Sequence, residues 1–123
     1  MADVVAVVSD LMFSSKIGGT ARAVGVDAVV VSTAERLGVA LDDDDVRLVM
    51  VDMSLADGEA PAAVRRAARH SSRPTIVAFY SHVQSPLKEA AERAGADLVL
   101  PRSRFNEQLP ELLAQCGTAD EHR

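Results

Sequence analysis

Two aspartates stand where this chain can do chemistry. Asp10 closely follows the apolar run Val4-Val5-Ala6-Val7-Val8, and Asp52 follows Leu48-Val49-Met50-Val51. Each run is short, continuous and rich in β-branched residues, as in a strand buried on both faces. If the two strands are neighbours, their backbones lie about 4.8 Å apart. The two carboxylates can then share one divalent ion. Mg²⁺ suits such a place, because it takes one or two carboxylates and completes its shell with water and phosphate oxygens. Two more strand ends bring hydroxyls and a cation to the same edge: Tyr80-Ser81-His82 after Thr75-Ile76-Val77-Ala78-Phe79, and Pro101-Arg102-Ser103 after the short strand Asp97 to Leu100. Plainer roles compete with these. A strand-end aspartate also caps the next helix, and Tyr80 and Arg102 also suit a stacked or hydrogen-bonded pair at a sheet edge.

The elements that must position these residues alternate along the chain. Phe13, Ile17, Ala21 and Val24 recur every three or four residues and predict a helix with one apolar stripe. Gly18-Gly19 weakens it and Gly25 closes it. A second strand, Asp27 to Ser32, leads into a helix capped by Ser32 or Thr33, with Leu37 and Leu41 inward. Asp42-Asp43-Asp44-Asp45 reads as a solvated connector into a third strand, Val46 to Asp52. Asp57-Gly58 is turn chemistry, and Ala60 to His70 predicts an Ala-rich helix with Ala60, Ala63, Val64, Ala67 and Ala68 inward. Ser85-Pro86 opens a helix that buries Leu87, Ala90, Ala91 and Ala94 and stops at Gly95. A last helix, Arg104 to Gln115, turns Leu109, Leu112 and Leu113 inward. Five strands and five helices in strict alternation predict an α/β domain with a parallel sheet and right-handed crossovers. Ligands of such sheets sit beyond the carboxyl ends of the strands, where Asp10 and Asp52 stand. One domain over 1–116 and a polar tail over 117–123 account for the whole chain.

Composition narrows the function classes. With 48% hydrophobic and 25% charged residues in 123, the chain builds an ordinary core and is not disordered. A net charge of -5 without a basic stripe excludes phosphate backbones and anionic membrane surfaces as expected partners. No apolar run is long enough to span a bilayer, and the N-terminus lacks a basic signal region. The single Cys116 permits no internal disulfide and fits a reducing, cytoplasmic setting. His82 stands near the strand-end site, where a ligand or base competes with the plainer reading of a lone surface histidine; His70 and His122 have no sequence company, Cys116 has no activating motif, and Gly18-Gly19 lacks the pattern of a nucleotide loop.

Two motifs carry a family resemblance. Val49-Met50-Val51-Asp52-Met53-Ser54-Leu55-Ala56-Asp57-Gly58 resembles the phosphoacceptor segment of CheY-like response-regulator receiver domains, and Ala94-Gly95-Ala96-Asp97-Leu98-Val99-Leu100 resembles their entry into the fifth strand. The likeness covers residues 3 to 115 and implies a flavodoxin-like (βα)₅ fold with strand order 2-1-3-4-5. It implies Asp52 as phosphoacceptor, with Asp10, Asp52 and the Ser54 carbonyl holding Mg²⁺. Tyr80, Ser81 and Arg102 then fall at the switch and accessory positions. The pattern is broken in five places. Ser9 replaces the first acid of the pair, Tyr80 stands at the Thr/Ser position (Ser81 only with a shift of one), Arg102 replaces Lys, and Ser103 and Ala56 replace Pro. Losing one carboxylate weakens Mg²⁺ binding, and an Arg fork is not a compact ammonium.

The resemblance therefore implies an atypical, stand-alone receiver without catalytic residues, acting through protein contacts. Its expected face is Ser85 to Gln115, toward a sensor kinase, an output protein or a second copy of itself. The alternatives are a working phosphoacceptor at Asp52 with Mg²⁺ and a small-ligand-binding flavodoxin-like domain.

Overall fold

The computed structural model describes residues 2–43, 45–56, 58–81 and 85–121. Its elements are β1 (Val4–Val7), α1 (Leu11–Ala23), β2 (Ala28–Val31), α2 (Ala34–Asp43), β3 (Leu48–Asp52), α3 (Glu59–Ala68), β4 (Thr75–Tyr80), α4 (Ser85–Ala94), β5 (Leu98–Pro101) and α5 (Arg102–Glu121). The strands form one sheet in the order β2-β1-β3-β4-β5. Every pairing is parallel. The parallel alternation is as the residues predict, and the strand order is that of the flavodoxin-like (βα)₅ architecture the family resemblance implies.

The central strands β1 and β3 are buried along their whole length. Their side chains alternate between two cores, as strand geometry requires. Val5, Val7, Val49, Val51, Ile76 and Ala78 meet α2, α3 and α4 through Leu37, Leu41, Ala63, Val64, Ala67 and Ala91. Val4, Ala6, Leu48, Met50, Val77 and Phe79 meet α1 and α5 through Phe13, Ile17, Ala21, Phe105, Leu109 and Leu113. The second core is held by three rings: Phe79 and Phe105 stack at 4.1 Å, and Phe13 sits tilted against both, at 5.2 Å from Phe79 and 5.8 Å from Phe105.

Helix boundaries depart from the sequence expectations at several points. Asp42 and Asp43 close α2 instead of lying in a connector. Helix α5 starts at Arg102, two residues earlier than expected, and its backbone continues to Glu121 through most of the expected tail. Ala68 lies on the exposed side of α3. It touches the next layer all the same: at Gly95, φ is +113° and an added Cβ would fall 2.9 Å from the Ala68 Cβ. Only glycine suits that backbone and that approach. Thr33, not Ser32, caps α2, its Oγ1 accepting the Arg36 N–H at 3.1 Å. His70 is not alone, since it bridges Asp42 and Ser72. Asp44, Asp57, His82 and His122 lie outside the described residues, as do the side chains of Ser85 and Cys116. No helix among the described residues is long and apolar enough to cross a membrane.

Candidate functional site

The register sets the strand ends side by side. Val7 pairs with Val51, Asp52 with Phe79, and Tyr80 with Pro101. The residues just beyond these pairs therefore share one edge of the sheet.

Asp10 is the N-cap of α1. Its Oδ1 accepts the N–H groups of Met12 at 2.9 Å and Phe13 at 3.2 Å. This is the plainer role anticipated for a strand-end aspartate, and it satisfies two donors that a helix start leaves unpaired. The other oxygen, Oδ2, accepts from Nη2 of Arg102 at 3.1 Å. The Arg102 guanidinium also lies 4.4 Å from the centroid of the Phe13 ring, within cation–π range. The Phe13 N–H first, and the Arg102 hydrogen bond next, hold the Asp10 carboxyl below its ordinary range. Arg102 thus pairs with an acid of the edge, and Tyr80 is not its partner.

Asp52 is only 5% exposed and is the one buried charged residue among those described. Its Oδ1 accepts from the Ser54 N–H at 2.9 Å and the Ser54 hydroxyl at 2.6 Å. The short hydroxyl bond is charge-assisted. The main chain just beyond is anchored to the neighbouring strand, since the Met53 N–H donates to the Phe79 carbonyl at 2.8 Å.

Tyr80 and Ser81 part company. Tyr80 is 9% exposed and packs into the core beneath α2, α3 and α4. Ser81 lines a cavity of about 840 Å³ together with Asp10, Phe13, Lys16, Arg102 and Asn106. Asp52 and Tyr80 are not among the residues lining it. Phe13, Lys16 and Asn106 were not legible as site residues. Phe13 reads as an apolar stripe residue, and nothing in the sequence ties it to a guanidinium far along the chain. The described residues hold no group of three or more His, Cys, Asp or Glu side chains placed to bind a metal ion.

No family model and no curated protein matches this sequence. Solved structures match it over nearly its full length. The chain has the receiver-domain fold. It superimposes on the receiver domain of a sensor histidine kinase from Pseudomonas aeruginosa with a TM-score of 0.80, at 16% identity, over 95% of this chain and 99% of that one. That receiver holds a magnesium ion in its active-site cleft. The receiver domain of NtrX from Brucella abortus aligns with a TM-score of 0.78, at 17% identity, over 93% and 97% of the two chains. A CheY-like receiver from Methanospirillum hungatei aligns with a TM-score of 0.76, at 15% identity, over 97% and 98%. At these identities the likeness establishes the fold.

Proposed function

We propose that this chain is an atypical receiver module of two-component signalling that works in the cytoplasm by contact with other proteins, with neither catalysis nor phosphorylation at its Asp10 and Asp52 edge. One observation carries the reading: the guanidinium of Arg102 already occupies the free oxygen of Asp10. In kind, the donor set suits a hard divalent ion, since Asp10, Asp52 and the Ser54 carbonyl are all oxygen ligands. In charge it does not, because an internal cation has taken the acid. Mg²⁺ bound there would neutralise phosphoryl oxygens. To bind, it must displace Arg102 from Asp10, with only two carboxylates to attract it, so its affinity is low. The Tyr80 ring is packed into the core, and Tyr80 does not line the cavity beside Asp10.

The contact surface in this reading is the α4-β5-α5 face, Ser85 to Gln115. It carries Leu98, a large apolar side chain 39% exposed. A sensor kinase or an output protein is the expected partner, and self-association is the alternative use of the face. Charge reversals along it, such as Glu107→Lys and Glu111→Lys, should abolish partner capture. A scan that leaves every interaction intact removes this surface from consideration.

A second reading has its own support. Asp52 ends the central strand β3, buried, and its carboxylate accepts from the Ser54 N–H and hydroxyl. A strand-end position after β3 is the one the family resemblance implies for a phosphoacceptor. Intact-mass analysis after incubation with Mg²⁺ and acetyl phosphate, beside Asp52→Ala, separates the two readings. The expected result is no mass gain in either protein. A gain of one phosphoryl group in the wild type alone makes Asp52 a working acceptor and overturns the first reading.

A further inference from the structure

At the opposite edge of the sheet, three side chains from two segments form a hydrogen-bonded line. The Ser72 Oγ lies 2.8 Å from Nδ1 of His70, and Nε2 of His70 lies 2.9 Å from Oδ1 of Asp42. The Ser72 backbone N–H also donates to Nδ1, at 3.1 Å. A backbone N–H can only donate, so Nδ1 is the unprotonated nitrogen and Nε2–H donates to Asp42. The single lone pair of Nδ1 is then shared between that N–H and the Ser72 hydroxyl, which is the shorter of the two contacts.

Two further observations single out this spot. Arg73, directly after the serine, has φ +51° and is the one non-glycine residue with positive φ among those described. Backbone held in that region costs free energy and clusters at functional sites. Ser72 and Arg73 also line a cavity of about 660 Å³, with Thr75 on its wall and Leu48, Leu98 and Leu112 supplying apolar surface.

We propose that Ser72, His70 and Asp42 form a nucleophile, base and orienting carboxylate that take acyl groups from small activated esters seated in this cavity. The Ser72 Oγ bonds to the ester carbonyl carbon as its proton passes to Nδ1 of His70. The ester C–O bond then breaks, and the departing alkoxide takes that proton. Water completes the cycle: its oxygen bonds to the acyl carbon, one of its protons passes through Nδ1 to Ser72, and the acid leaves. Arg73 supplies positive charge for the oxyanion of each addition. Asp42 is 76% exposed against 19% for His70, so solvent screens it and the ring does most of the work.

The test uses the full chain with p-nitrophenyl acetate, and peptide mass mapping locates the acetyl group. The expected result is acetyl on Ser72, forming about a hundredfold faster than on the adjacent Ser71 and about a hundredfold slower in His70→Gln, as loss of a general base predicts. Asp42→Asn should show a smaller loss. The comparison with Ser71 is made within the wild-type protein and so does not depend on a variant folding. Acetylation of lysines with Ser72 unmodified overturns the proposal, and so does acetylation of Ser72 at the same rate in a folded His70→Gln protein.

Discussion

Arg102 and Asp10 stand 92 positions apart in the chain, and their side chains meet at 3.1 Å. The contact ties the first turn of α5 to the cap of α1. It places an internal positive charge at the acidic edge, over the face of Phe13.

If Arg102 competes with a divalent ion for Asp10, removing it should strengthen binding. Arg102→Ala is expected to lower the dissociation constant for Mg²⁺ about thirtyfold, the effect of a unit charge about 4 Å from a doubly charged ion in a water-like medium. Isothermal titration of both proteins checks this. Unchanged affinity means that Arg102 does not guard the acid.

Acid should weaken the fold partly through Asp10. Its native pKa is lowered from the ordinary 3.8, first by the Phe13 N–H and then by Arg102. A lowered native value means stability that is present above the ordinary range and lost as pH falls through it and past the native value. Asp10→Asn keeps the cap acceptor and loses the titration. Its melting temperature should fall less steeply between pH 5 and 2 than that of the wild type, by about the one ionisation removed. Asp10→Ala loses the cap as well and should melt lower at every pH. Thermal melts across this range decide the matter.

Ser54 serves the buried Asp52 with two donors, one of them its hydroxyl at 2.6 Å. Ser54→Ala removes that charge-assisted bond and is expected to cost about 1.5 kcal/mol in chemical denaturation. The same substitution keeps the backbone N–H, so the loop after β3 should hold its course. Unchanged stability means that water replaces the hydroxyl freely.

Phe105 is fully buried and stacks on Phe79. Phe105→Ala should cost about 3–5 kcal/mol by leaving a cavity under α5. Because Arg102 sits one turn away on the same helix, it should also loosen the Arg102–Asp10 contact. Denaturant titration measures the first effect. A larger Mg²⁺ affinity in the folded variant reports the second.

Much of the fold was legible in local pattern. The runs Val4–Val8 and Leu48–Val51 are continuous and apolar, and only strands covered on both faces read that way. The stripes Phe13-Ile17-Ala21 and Leu109-Leu113 follow helical spacing, and all five residues are buried. The end of α5 was not legible. Its last turns are polar and carry no apolar period to mark them as helix, yet the backbone continues to Glu121.

By itself, the sequence determined the alternation of strands and helices, the edge where the acids stand and the departures at Ser9, Tyr80 and Arg102, because these are matters of local spacing and residue type. Tertiary structure alone decided what those residues touch. Tyr80 is directed into the core and Ser81 lies at the cavity, because neighbouring strand residues face opposite sides and the packing of both layers chooses between them. Arg102 meets Asp10 and Phe13, and His70 meets Asp42, because the sheet order and helix docking set the ends of separate elements together. Contacts between distant segments leave no periodic signal in a chain, so only the folded arrangement reveals them.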